Sequence, residues 1–231
     1  MKRDQGTIRI GALTTIVDLE KQVDGSVWGR ALNDVIWKFG SPNIRSVATV
    51  GGNICAASSS EDLIPVFLAL DAKVKITGKN GTREQPLKEF IVGKRKTSMN
   101  SGEVLAEVSF PEPSERSAFS FRKLGMRNIL IIALVSAAVF LETDSTRSKI
   151  VAARIALNRL KGKIPQRAAN VEKHLLDQRL DEKSIEAATN ALGEELSLTS
   201  DFRASARYRC EAAKVLVRRA LNDCQIQLSG M

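Results

Sequence analysis

The sequence predicts an α+β protein, and three observations predict it. Short runs with period-two alternation recur through the first half, beside helical spacings. In the second half, long apolar strand-like runs come first and amphipathic helical stripes come after them. No internal repeat or low-complexity tract interrupts this order. The architecture expected is a mixed or antiparallel β unit over residues 1–111, then a unit of antiparallel strands packed with helices over 117–225.

Each element has its own signal. TIRIGALTTIVDLEK, residues 7–21, reads as a short strand, a turn at Gly11 and a helix. Thr14 or Thr15 caps that helix, with Asp18 in its first turn. Val27, Ala31, Val35 and Phe39 share a helical stripe between Ser26 and Phe39, and Gly40-Ser41-Pro42-Asn43 stops it. Residues 46–70, SVATVGGNICAASSSEDLIPVFLAL, read as a β-branched strand, paired glycines, a small-residue segment and a helix over 61–70. AKVKITGKNGTREQPL reads as a hairpin turning at Asn80-Gly81. EVLAEVSF is an alternating strand with Val104, Ala106, Val108 and Phe110 on one face. PEPSERS, residues 111–117, holds two prolines, two serines and two glutamates with no apolar residue, and reads as a linker.

Beyond it, residues 129–141 form the longest apolar run, broken only by Ser136. That run is too short for a bilayer, which needs about 20 residues, and reads as a strand buried on both faces or a core helix. Residues 150–158 read as a second apolar strand. A helix is predicted around Val171 to Leu176. Asp181 caps another, whose stripe is Ile185, Ala188, Leu192 and Leu196. The last helix aligns Cys210, Ala213, Leu216, Ala220 and Cys224.

Composition narrows the function classes. Apolar residues make up 43% and charged residues 26%, the balance of an ordinary globular chain rather than a disordered one. The 35 basic residues exceed the 26 acidic ones by nine, which admits nucleic acid, a phosphate-bearing cofactor, an acidic partner or an anionic surface. Arg154, Arg159, Lys161, Lys163 and Arg167 form the densest basic stretch. Without interleaved aromatics it reads as a solvated or subunit-facing edge and not as a nucleic-acid footprint. Cys55, Cys210 and Cys224 are odd in number and widely spaced, so neither a zinc site, an iron–sulfur site nor a disulfide framework is encoded, and a reducing cytoplasm is expected. The N-terminus has no signal-peptide apolar core. No side chain has the setting of a nucleophile or general base, and His174, the single histidine, falls on a predicted surface helix.

TVGGN, residues 49–53, is the segment that suggests binding. Two glycines between strand and helix permit positive φ and close approach, and their consecutive N–H groups can form an anion-binding concavity. Thr49 adds a hydroxyl and Asn53 an amide. Together they make a cradle suited to a pyrophosphate, with Asp62 placed to accept from ribose or ribitol hydroxyls. The alternative is an ordinary turn, and the GxGxxG fingerprint is absent.

The longer stretch NIRSVATVGGNICAASSSEDLIPVFLALDA resembles the FAD-binding subunit, or domain, of the molybdenum hydroxylases, the family of xanthine dehydrogenase and aerobic carbon monoxide dehydrogenase. GKRKTSMNSGEVLAEVSFP, SAFSFRKLGMRNILIIALVSAA and SDFRASARYRCEAAKVLVRRAL resemble later blocks of that family in the same order. The resemblance implies that Thr49, Gly51, Gly52 and Asn53 hold the FAD pyrophosphate and that Asp62 bonds to hydroxyls of the FAD linker. It puts Phe39 where an aromatic ring can lie against the isoalloxazine, Met99 in a loop near the ring, and Lys123 within reach of the flavin's polar edge. The structural alternatives are a helix-end core residue, loop packing and surface charge, respectively. It also implies a large partner subunit with molybdopterin and a small one with 2Fe-2S clusters, from which FAD collects electrons for an external acceptor.

The chain departs from the family pattern in places. Its match begins only after a first subdomain of the family pattern, one carrying an AGGTDL-type loop on the other side of the pyrophosphate. Without that loop's charge-assisted hydrogen bonds, each worth roughly 1.5–3 kcal/mol, FAD binding by the chain alone is expected to be weak. A separate polypeptide supplying the subdomain, a truncated or internal start, and a scaffold that no longer holds flavin are the three histories considered. Ile131 stands where the family often has aspartate, and Asn128 where arginine is common.

Overall fold

The computed structural model describes residues 1–127, 131–161 and 164–230. β1 (Lys2–Asp4) and β2 (Thr7–Gly11) form an opening hairpin. Thr15 caps α1 (Ile16–Glu20) by accepting from the Asp18 amide, as predicted. Ser26 caps α2 (Val27–Ile36), which buries the expected apolar stripe. The Gly40–Asn43 stop also begins something new. Ser41 caps α3 (Pro42–Val47), with proline in the first turn where its missing N–H costs nothing. α4 (Val50–Ala56) and α5 (Leu63–Ala69) come next.

The β-branched strand expected before the glycines is therefore absent. Residues 46–48 end α3, and a single antiparallel bridge, Thr15 to Thr49, is the sheet-like contact there. Then come β3 (Lys73–Gly78), β4 (Gly81–Pro86), α6 (Leu87–Phe90), β5 (Ile91–Gly93), β6 (Lys96–Thr97) and β7 (Val104–Pro111). β1, β2, β7, β3 and β4 lie in that order in one antiparallel sheet. The face predicted for β7 holds only at its far end. Opposite β3 the register steps from Glu107 to Leu105, so Ala106 is an extra residue. That bulge turns Leu105 toward the core and leaves Val104 exposed, while Val108 and Phe110 stay buried.

The second half opens with β8 (Ser117–Leu124), a strand not anticipated, then β9 (Val135–Thr143), β10 (Ile150–Lys161) and β11 (Ile164–Arg167). They form an antiparallel sheet in the order β11-β10-β9-β8. Part of the apolar run 129–141 lies outside the described residues, as does Asn128; from Val135 onward the run is the strand buried on both faces. α7 (Ala169–Lys173), α8 (Glu182–Glu195) and α9 (Ala206–Ser229) complete the chain. Asp181 and Ser184 form a reciprocal capping box at the start of α8, and His174 is exposed just after α7. Among the described residues, no helix is long and apolar enough to cross a membrane.

Two apolar cores share the second sheet. Phe119, Phe121, Ala138, Phe140 and Ala156 point into the first, with α2, α4, α5 and the five-stranded sheet. Ala118, Val139, Leu141, Ile155 and Leu157 point into the second, under α8 and α9. Period-two alternation thus gives each core its own set of side chains from the same strands.

The basic stretch is not an open edge. Arg154 stacks over Phe140, 4.1 Å from the ring centroid, and its Nε donates to the Ala69 carbonyl at 2.8 Å. Arg159 is buried near Asp201, at 3.7 Å. Arg167 grips Glu172 through two bonds, of 2.9 and 2.6 Å. Each is held by the fold because the strand or segment it sits on packs against a neighbouring element. Lys163 and the Lys161 side chain lie outside the described residues.

Candidate functional site

Gly51 and Gly52 occupy the first turn of α4 rather than a turn before it, and neither has positive φ. Their reason is close approach. A Cβ on Gly51 would stand 2.6 Å from the Ala12 Cβ and 2.9 Å from the Ala12 carbonyl oxygen. The helix start is pressed onto the loop after β2. There Val50 N donates to Thr14 O at 2.9 Å and Gly51 N donates to Ala12 O at 2.8 Å. Gly52 N donates to the Thr49 hydroxyl at 3.0 Å.

The expectation of free consecutive amides is thus corrected. These donors are satisfied within the chain, because a helix's first N–H groups need acceptors and the adjoining loop and cap provide them. What faces outward is narrower. Gly52 is exposed, and a half-buried Thr49 keeps a hydroxyl proton to donate.

Asn53 is buried, and both ends of its side-chain amide are engaged. Oδ1 accepts from Leu63 N at 3.2 Å, and Nδ2 donates to the Glu61 carboxylate. This amide ties α4 to the start of α5, where Asp62 sits. Asp62 Oδ2 accepts from Lys123 Nζ at 2.6 Å. The Lys123 side chain, at 0% exposure, is not the surface charge that one reading allowed. It also donates to the Lys38 carbonyl at 3.0 Å, at the end of α2. Lys38 Nζ in turn donates to the Phe121 carbonyl on β8 at 2.9 Å.

A string of contacts therefore runs from Thr49 to Asn53, from Asn53 to Glu61 and Leu63 on either side of Asp62, and from Asp62 to Lys123. It joins residues far apart in sequence because α4, α5, α2 and β8 meet around the first core.

The string carries perturbed carboxyls. Burial lifts Asp62 to about 6, against the pull of Lys123. Burial lifts Glu61 to about 7, the Asp62 charge adds to the lift, and Lys123, Asn53 and Arg95 oppose it. Asp62 Oδ1 is buried and has no hydrogen-bond partner. An orphaned carboxylate oxygen of this kind suits a hydroxyl donor. The Asp62 end thus fits the hydroxyl-bearing linker of a dinucleotide. The glycine end fits through Thr49 and the bare surface of Gly52.

Two other residues stand apart. Phe39, 8% exposed, packs in the first core at the end of α2, so its ring is not presented for stacking. Met99 is half-buried against the same core in the loop after β6. Sequence reasoning missed Glu61, Lys38 and Asn158. Asn158, fully buried, donates to the Ser59 carbonyl at 2.9 Å and accepts from Ser136 N at 2.9 Å, pinning the loop that leads to Glu61. A lone asparagine in the apolar run IALNRL was the one signal for it; Lys38 had none. Among the described residues no group of histidine, cysteine or acidic side chains is arranged to hold a metal.

Comparison with known proteins covers both halves. Residues 1–113 match the family described as the FAD binding domain in molybdopterin dehydrogenase, and residues 120–224 match the CO dehydrogenase flavoprotein C-terminal domain. The chain is 32% identical over 220 residues to the 6-hydroxypseudooxynicotine dehydrogenase complex subunit alpha of Paenarthrobacter nicotinovorans, covering 95% of this chain and 73% of that one. It is 30% identical over 225 residues to the carbon monoxide dehydrogenase medium chain of Afipia carboxidovorans, covering 95% and 75%. Among solved structures, the carbon monoxide dehydrogenase of Hydrogenophaga pseudoflava that lacks the Mo-pyranopterin moiety superposes with a TM-score of 0.91. Its sequence identity is 25%, over 98% of this chain and 77% of that chain.

Proposed function

The chain belongs to the FAD-binding subunit family of the molybdenum hydroxylases, and we propose that it holds FAD within a complex and relays electrons to an external acceptor. The partners in this reading are a large subunit with molybdopterin and a small subunit with iron–sulfur clusters. Bound FAD supplies the redox chemistry. The residues of this chain bind and orient. Thr49 donates its hydroxyl proton to the pyrophosphate over the bare Gly52, Asp62 accepts from linker hydroxyls, and Lys123 fixes the Asp62 carboxylate. Gly51 and Asn53 shape the site without touching the ligand, and Phe39 supports it from the core.

The observation that carries this reading is Asp62, nearly buried, with one oxygen on Lys123 and the other without a donor. Co-expression with the two partner subunits tests it. The purified complex is expected to show flavin absorbance, and Asp62→Asn to lower the flavin content. A complete assembly without flavin colour overturns the reading.

The engaged amides of Val50, Gly51 and Gly52 favour one alternative, a scaffold subunit that assembles without flavin. That alternative expects a colourless complex that is stable and active.

A further inference from the structure

Glu61 has no part in the flavin reading, yet it lies between the two ends of the site. Its carboxylate accepts from Asn53 Nδ2, and the other end of that amide accepts from Leu63 N. Asn53 therefore closes a ring from α4 to the start of α5, and Asp62 is inside that ring.

We propose that Glu61 is a positioning residue of the flavin site, one that holds Asn53 and so fixes the exposed start of α4 relative to Asp62. The proposal rests on the flavin reading. Glu61 itself need not touch the ligand.

The charges around Glu61 give the role a pH signature. Asp62 is its chain neighbour, Lys123 reaches in from β8, Arg95 comes from the turn between β5 and β6, and Asn53 faces it from α4. Lys123 donates to Asp62, so it and Arg95 act on Glu61 only through their charge. The pyrophosphate of FAD would add negative charge to a site already holding two adjacent carboxylates. Like charges disfavour one another's ionised forms. FAD binding is therefore coupled to proton uptake at Glu61, and affinity rises as pH falls from about 8 to about 6. The tie to Asn53 survives protonation, because a neutral carboxyl keeps a carbonyl acceptor.

The test compares Glu61→Ala and Glu61→Gln in FAD titrations of the full chain, co-purified with its partner subunits. Glu61→Ala is expected to weaken FAD binding about tenfold by loosening Asn53. Glu61→Gln, which keeps an acceptor, is expected to restore affinity to within about threefold of wild type and to flatten the pH dependence. A flavin-free readout stands beside these. The Asn53 side-chain amide resonance of the isolated chain should titrate near pH 7 in wild type and stay constant in Glu61→Gln.

Wild-type affinity and pH profile in Glu61→Ala would overturn the proposal, as would an Asn53 resonance indifferent to pH. A wild-type complex that takes up no FAD would overturn the flavin reading and the positioning role with it. The Asn53 resonance would still report whether the tie exists, so the two failures are told apart.

Discussion

Gly51 and Gly52 stand side by side in surroundings so different that one substitution separates fold from site. A methyl on Gly51 enters the Ala12 backbone, which cannot move without dislodging the loop after β2. Gly51→Ala is expected to destabilise the chain by about 1–3 kcal/mol, as overpacking does, read by urea denaturation. A methyl on exposed Gly52 meets only the Thr49 hydroxyl, at 2.9 Å. Gly52→Ala is expected to leave stability within about 1 kcal/mol and to weaken FAD retention in the assembled complex.

The adjacent carboxyls act at this scale too. Glu61 and Asp62 are held above their ordinary values, to about 7 and about 6. The folded chain thus keeps protons that the unfolded chain has released. This contribution to stability is complete below the unfolded value of 4.5 for Glu61, and it is lost as pH rises through about 7. Thermal melts should therefore show Glu61→Gln more stable than wild type above about pH 7.5, with the difference closing toward about pH 5.

Between elements, the decisive contact is the Lys123–Asp62 pair, which links β8 to the start of α5 across 61 positions of sequence. Breaking one side of a buried pair strands the other charge, at about 3–5 kcal/mol. Lys123→Met is expected to cost that much in urea denaturation, and Asp62→Asn made in the Lys123→Met background to recover most of it. Additive losses would show that the pair does not act as a unit. This contact also marks what the sequence made legible. Local signals placed α1, α2, the β3–β4 hairpin, α8 and α9, because caps, turn residues and apolar stripes act over a few residues. Thr49, Gly51, Gly52, Asn53 and Asp62 were legible as one group because they lie within one short segment. The helical state of the glycines was hidden, since the acceptors for the Val50 and Gly51 amides at the helix start come from Thr14 and Ala12, far earlier in the chain. Burial of Lys123 was hidden for the same reason, whereas that of Phe39 followed from the apolar stripe of α2, and the Ala106 bulge reversed a face that alternation alone would assign.

At the scale of the whole molecule, the two family matches divide the chain near residue 113, but the packing does not divide there. The segment read as a linker is fastened: Ser114 Oγ donates to Glu142 at 2.7 Å. The first core lacks Phe119, Phe121 and Phe140 unless the second sheet is present. Arg154 reaches the Ala69 carbonyl, Arg167 approaches Asp71 at 3.5 Å, and Lys123 meets Asp62. A sheet buried on both faces cannot lose one layer without exposing an apolar surface to water, at roughly 25 cal/mol per Å². The two halves are therefore expected to unfold together. Trp28 and Trp37 both lie in the first half, so their fluorescence reports that half, whereas helical circular dichroism reports both halves, α1 to α6 in the first and α7 to α9 in the second. Urea transitions followed by the two signals should coincide. Separated midpoints would mean that the shared sheet does not couple the cores. A site assembled from α4 and α5 on one side and β8 on the other would then lose the rigidity that holds Lys123 on Asp62.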